Sequence, residues 1–238
     1  MMEWESASIT HEGNRRDHNE DAVFCSSARG LWAVADGMGG HNAGEYASER
    51  IAQCLDQVHL EADLSVCVDR IEDALIEVNT HLREHSMLEC GGQTVGSTVV
   101  AVVTRGHLGV VLWAGDSRLY RQRGHSITLV TRDHNPIADL LDSGGVTEDQ
   151  AIHGDTHIIT RAVGGQLDLH LDVAVFDVAP GDTLLLCSDG LYRELSVDEI
   201  QACMAMEVDN AVEHLLQQVL EGEARDNVSA VLTRALAS

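Results

Sequence analysis

Five aspartates in this chain stand where apolar runs begin or end. Asp36 closes LWAVAD, Asp116 closes VVLWAGD and Asp189 closes TLLLCSD, while Asp21 opens DAVFC and Asp226, followed by Asn227, precedes VSAVLT. Runs of that composition read as buried strands. If the strands lie side by side, the carboxylates meet at one edge of a sheet. Gathered acids repel one another and hold their protons unless a cation neutralises them. Hard oxygen donors with few histidines among them favour Mg2+ or Mn2+ over zinc. Taken singly, Asp36-Gly37 and Asp189-Gly190 read as tight turns, because Asp-Gly favours positive φ. The recurrence of acids at strand ends, not any one dipeptide, points to metal chemistry.

Rival chemistries find little support. The 13 histidines form no HExxH helix, and neither a GxSxG elbow nor a GxGxxG fingerprint occurs. All 15 basic residues are arginine, so lysine-dependent P-loops, Schiff bases and ammonium bases are excluded. The six cysteines, Cys25, Cys54, Cys67, Cys90, Cys187 and Cys203, show no CxxC and several sit in apolar runs, which reads as reduced core residues. With 39 acidic residues against those 15 and a net charge of -24, the surface repels phosphate backbones and anionic lipid. Neither nucleic acid nor membrane is an expected partner. No signal peptide precedes Trp4 and no apolar run approaches the ~20 residues of a bilayer span, which suggests a soluble, cytoplasmic protein. At 238 residues, 44% hydrophobic with 2 prolines, residues 1–238 are expected to form a single ordered domain.

The elements that must hold these acids follow from periodicity. Strands are predicted over 4–10, 21–27, 31–36, 97–104, 108–116, 118–123, 126–131, 169–178, 183–189 and 227–236. Ala43, Tyr46, Ala47, Ile51, Leu55 and Val58 mark one amphipathic helix, and Leu64, Val68, Ile71, Leu75, Val78 and Leu82 a second. Ser196 and Glu199 form a capping box ahead of Ile200, and Val212, Leu215, Leu216, Val219 and Leu220 stripe a last helix. Strands cluster, and short turns such as Arg123-Gly124-His125 join neighbours. This favours α+β with antiparallel sheets faced by helices.

Six segments then carry a resemblance. GNRRDHNED (13–21), ADGMGG (35–40), AGDSRLYR (114–121), IITRAVGG (158–165), LLLCSDGL (184–191) and ARDNVSAVL (224–232) are similar, in order and across nearly the whole chain, to the motifs of PPM/PP2C-type metal-dependent protein serine/threonine phosphatases. The compact bacterial branch is the nearest likeness. The resemblance implies an α-β-β-α four-layer sandwich, two antiparallel sheets packed face to face with helices outside. It implies that Asp36 bridges two Mn2+ or Mg2+ ions and that the Gly37 carbonyl completes one coordination sphere. Asp189 and Asp226 would join Asp36 on the first metal; Asp21 would hold the second, directly or through water, with Glu20 nearby and Asn227 behind the ligands. Asp116, with Asp189, corresponds to a third, weaker metal position. Arg16 matches the phosphate-binding arginine, with Arg15 the adjacent alternative.

The implied chemistry is hydrolysis of phosphoserine or phosphothreonine by a hydroxide shared between the metals, without a covalent phosphoenzyme. Met38 stands where animal members carry a histidine proposed as general acid. That leaves metal-bound water, His41 or His153 as proton donor. Residues 132–163 fall where the family carries a mobile flap; Thr147 and Gln150 would cap a short helix in it, and His153-Gly154 lacks the proline often found there. Expected partners are phosphorylated proteins, a cognate bacterial Ser/Thr kinase and a forkhead-associated-domain protein; the compact form also suits type VI secretion switches. The alternatives are a silent binding module of the same fold, or a phosphatase for an anti-anti-sigma-type regulator or a small phosphoester.

Overall fold

The computed structural model describes residues 2–39, 43–142 and 158–236. Eleven strands form among them: β1 (Trp4–His11), β2 (Asp21–Ser26), β3 (Leu31–Gly39), β4 (Val95–Ser97), β5 (Val99–Arg105), β6 (Leu108–Ala114), β7 (Arg118–Arg123), β8 (Ser126–Leu129), β9 (Asp172–Asp177), β10 (Thr183–Cys187) and β11 (Val228–Ala235). Helices are α1 (Ala43–Gln57), α2 (Leu64–Glu89), α3 (Pro136–Asp142), α4 (Asp189–Tyr192), α5 (Val197–Met204) and α6 (Val208–Glu221). One sheet runs β1-β11-β10-β7-β8 and the other β2-β3-β5-β6-β9, with β4 pairing the far end of β3. Every strand pair is antiparallel.

Strand alternation explains the layers. Along β3, Trp32 and Val34 point between the sheets, where they meet Val100, Val102, Val111, Leu184, Leu186 and Val231. Leu31, Ala33 and Ala35 point outward onto Ile51 and Leu55 of α1 and Ile71, Leu75 and Leu82 of α2. On the other sheet Leu185, Cys187, Ala230 and Leu232 face Ile200 and Met204 of α5 and Val212, Leu215 and Val219 of α6. Strands covered on both faces lose the polar-apolar alternation, which is why they read as continuous apolar runs. Truncating one of these buried leucines to alanine costs about 2–5 kcal/mol. The buried Trp32 keeps its ring N–H satisfied by donating to Ser6 Oγ at 2.8 Å, a polar tie between the sheets.

The result is the four-layer α-β-β-α sandwich that the motifs imply. One local expectation differs. Asp36-Gly37 is no tight turn, because β3 continues to Gly39 and pairs Gly37 with Ser97, Met38 with Gly96 and Gly39 with Val95. Nor does Asp189-Gly190 turn back; it opens α4. The capping box at Ser196 and Glu199 is present with both reciprocal hydrogen bonds. No helix among the described residues is long and apolar enough to cross a membrane.

Candidate metal centre

Both sheets deliver their acids to one end of the sandwich. β2 and β3 are in register so that Asp21 stands opposite Asp36. Asp116 follows β6 in the same sheet, while Asp189 follows β10 and Asp226 precedes β11 in the other. Between them opens a cleft of 270 Å³ lined by Arg16, Glu20, Asp36, Gly37, Met38, Gly39, Thr98, Asp116, Ile159, Asp189, Asp226 and Asn227. Arg15 and Asp21 are not in that lining. Asp21 is buried beneath it at 7% exposure, accepting a 2.8 Å bond from Ser188 Oγ.

Tight backbone contacts fix the floor. Asp36 N donates to Thr98 Oγ1 at 3.0 Å, Thr98 N returns a bond to Asp36 O at 2.8 Å, and Ser97 Oγ donates to the same carbonyl at 2.9 Å. A Cβ on Gly37 would lie 2.2 Å from Gly44 O, so β3 and the start of α1 approach as only glycines allow. The loop carrying Arg16 and Glu20 is tied down by Asn227. Its amide donates to Glu12 O at 3.0 Å and His18 O at 2.9 Å, and its Oδ1 accepts from Glu20 N at 2.8 Å. That gives the asparagine implied behind the ligands a physical task.

The electrostatics are those of carboxylates without enough positive charge. Burial pushes Asp36 well above the ordinary carboxylate range, and Asp21, Asp189, Asp116 and Asp226 add repulsion. Asp21 is pushed up to about 7, chiefly by burial, against the hydroxyls of Ser229 and Ser188. Burial also raises Glu20, partly offset by Arg16. Two arginines intervene: Arg16 Nη2 lies 2.9 Å from Asp226 Oδ2, and Arg193 reaches both Asp189 and Asp116. As arranged, no three His, Cys, Asp or Glu side chains among the described residues stand close enough to grip an ion.

The donor set nevertheless fits a hard divalent cation. Asp21 Oδ1 is buried with no hydrogen-bond partner, an arrangement that costs energy unless an ion or its water shell meets it. The remaining donors are carboxylate oxygens and the Gly37 carbonyl, the ligand type of Mg2+ and Mn2+. No histidine is among the described residues that line the cleft. His41 and His153, the proton-donor candidates, lie outside the described residues, as do Thr147, Gln150 and the middle of the flap segment.

The family model described as Protein phosphatase 2C matches residues 10–237. The chain belongs to that family. It is 30% identical over 228 residues to the serine/threonine protein phosphatase PstP of Mycobacterium tuberculosis, covering 95% of this chain but 44% of that relative. The chain thus spans under half the length of that protein. A solved structure described as PppA, a key regulatory component of T6SS in Pseudomonas aeruginosa, superposes with a TM-score of 0.91 at 37% identity, covering 98% of each chain. The catalytic domain of PstP in complex with 2 manganese ions superposes with a TM-score of 0.87 at 28% identity, with 100% of each chain covered.

Several neighbours of the acids were not singled out by sequence. Arg193 had a signal, its four-residue spacing from Asp189. His134 had none. It is 4% exposed, its Nδ1 accepts from Gly115 N at 3.1 Å, its own N–H donates to Gly115 O at 3.0 Å, and its Nε2 lies 3.2 Å from Asp172. It thereby fixes the peptide before Asp116. Thr98 is the other such residue, and a Cβ on Gly115 would stand 2.6 Å from it.

Proposed function

We propose that this protein phosphatase 2C chain is one catalytic domain that hydrolyses phosphoserine and phosphothreonine in proteins, reversing a bacterial Ser/Thr kinase in the cytoplasm. The observation that carries the reading is the meeting of Asp36, Asp189 and Asp226 with an arginine at one cleft, in a chain of this family. Asp36, Asp189, Asp226 and the Gly37 carbonyl would hold two Mn2+ or Mg2+ ions, with Glu20 at the cleft wall and Asp21 beneath it supporting the second. When bound, the ions would supply Lewis-acid charge to the phosphoryl oxygens and a nucleophilic water of lowered pKa.

The chain's own residues do the rest. Arg16, exposed at the mouth, can leave Asp226 and grip two phosphoryl oxygens with its planar fork. Asn227 keeps that arginine's loop in place. The water oxygen bonds to phosphorus as the bond to the serine or threonine oxygen breaks, and the proton that the water gives up ends on the departing alkoxide. A cysteine nucleophile has no support: Cys187, nearest the acids in sequence, is buried and its thiol is pushed up to about 12, far from thiolate reactivity at neutral pH. Type VI secretion, in which the Pseudomonas protein is a key regulatory component, is a candidate setting, since the two chains share length and fold.

The test is phosphate release from a phosphothreonine peptide at mildly alkaline pH, with EDTA, Mg2+ and Mn2+ in parallel. Turnover that requires a divalent ion supports the reading. A folded protein inert with every metal, on this peptide and on phosphorylated protein, would sink it.

A further inference from the structure

Asp116 and Asp189 approach from opposite sheets and share one guanidinium. Arg193, just past α4, places Nε 3.0 Å from Asp189 Oδ2 and Nη2 3.3 Å from Asp116 Oδ2. The assembly is mostly shielded, with side chains 24% exposed for Arg193, 6% for Asp116 and 17% for Asp189. Its neighbour Tyr192 donates from its hydroxyl to Asp116 O at 3.0 Å, and the Arg118 guanidinium lies 3.6 Å over the Tyr192 ring. Arg118 is in turn held by a bidentate pair of bonds to Asp133, at 2.9 and 2.8 Å. The segment that delivers Arg193 is thus anchored at two points besides its own ion pairs.

These two aspartates are the ones that the family resemblance assigns to a third, weak metal. We propose that in this chain Arg193 is the resident cation of the Asp116–Asp189 position, so that two divalent ions, not three, bind at concentrations that saturate the core positions. The inference rests on the metal-centre reading under Proposed function. A guanidinium is permanently charged, so at any working pH it offsets charge at Asp116 Oδ2 and Asp189 Oδ2 and repels an ion entering between those two oxygens. A divalent ion there would have to shed water and draw both acids to about 2.0–2.2 Å, displacing an arginine that would then keep neither acid as partner. Charge at this wall of the cleft is therefore supplied by the sequence and does not vary with metal supply.

The experiment is Mn2+ bound per chain, by equilibrium dialysis against graded MnCl2, for wild type, Arg193→Ala, Arg193→Gln and Arg193→Gln combined with Asp116→Asn. Wild type is expected to plateau at two ions. Arg193→Gln should admit a third ion about tenfold or more tighter than wild type does, and Asp116→Asn should remove it again. If Arg193→Ala fails to fold, the glutamine, whose amide stands about where the arginine Nε meets Asp189, carries the comparison. A wild type that takes three ions with the third unchanged in Arg193→Gln overturns the proposal, as does a folded Arg193→Gln that stays at two. Wild type binding no Mn2+ at all would instead overturn the metal-centre reading beneath it.

Discussion

Two arginines hold different acids of this site, and they are built differently. Arg16 sits on a loop and holds Asp226 with 53% and 39% of the two side chains exposed. Arg193 follows a helical turn and holds two acids, of which Asp116 is only 6% exposed. An exposed pair is worth about 0–1 kcal/mol and opens readily, whereas breaking a buried pair strands a charge and costs about 3–5 kcal/mol. The difference separates an arginine free to change partners from one that stays. A phosphoryl group can recruit the first; the second belongs to the frame.

Removing an acid that lines the cleft itself should have the largest effect. Asp36→Asn should lower turnover by about 10³-fold while the fold persists, since its side chain serves the cleft and not the core. Retained Mn2+-dependent activity would count heavily against the assignment. The exposed arginine follows: Arg16→Ala should cost about 10²-fold in kcat/KM, and Arg16→Lys should recover only part of it, because an ammonium cannot grip two oxygens in a fork. Equal loss in both, or none in either, would assign the phosphate contact elsewhere.

Smaller effects test the floor. A Cβ at Gly44 would lie 2.8 Å from the Gly37 carbonyl carbon and as close to the Glu20 carboxyl. Gly44→Ala should therefore weaken Mn2+ binding by about tenfold, read by calorimetry, with a milder change in melting temperature. The last prediction concerns pH in EDTA-treated protein. Asp21 and Asp36 have folded-state pKa values raised above their unfolded ones, Asp21 from 3.8 to about 7. Such groups add stability that is complete below the unfolded pKa and is lost as pH rises through the folded one. Between pH 7 and pH 5 the Tm of wild type should rise relative to that of Asp36→Asn, and saturating Mn2+ should erase the difference. A flat difference across that window would mean that the acids are already neutralised without metal.

Much of this was legible in the residues. Apolar runs ending in aspartate located the strands and the acids, because a sandwich buries both strand faces and leaves polar groups only at its ends. The capping box at Ser196 set the start of α5 for a local reason that needs no tertiary knowledge. The continuation of β3 through Gly37 and Gly39 was hidden, because its partner β4 lies more than fifty residues away and glycine reads locally as turn. A still longer separation hid what Asn227 does: its bonds to Glu12, His18 and Glu20 close a loop some two hundred residues earlier. Half of the Arg193 bridge was visible as spacing from Asp189; the half reaching Asp116 exists only once the sheets face each other.

Asp36 is the residue around which the proposed divalent ions gather, so the most direct test is calorimetric titration of Mn2+ into metal-free wild type and Asp36→Asn. That role predicts tight binding in wild type and none of that tight phase in the variant, with both proteins folded. Equal stoichiometry and affinity in the two would contradict it.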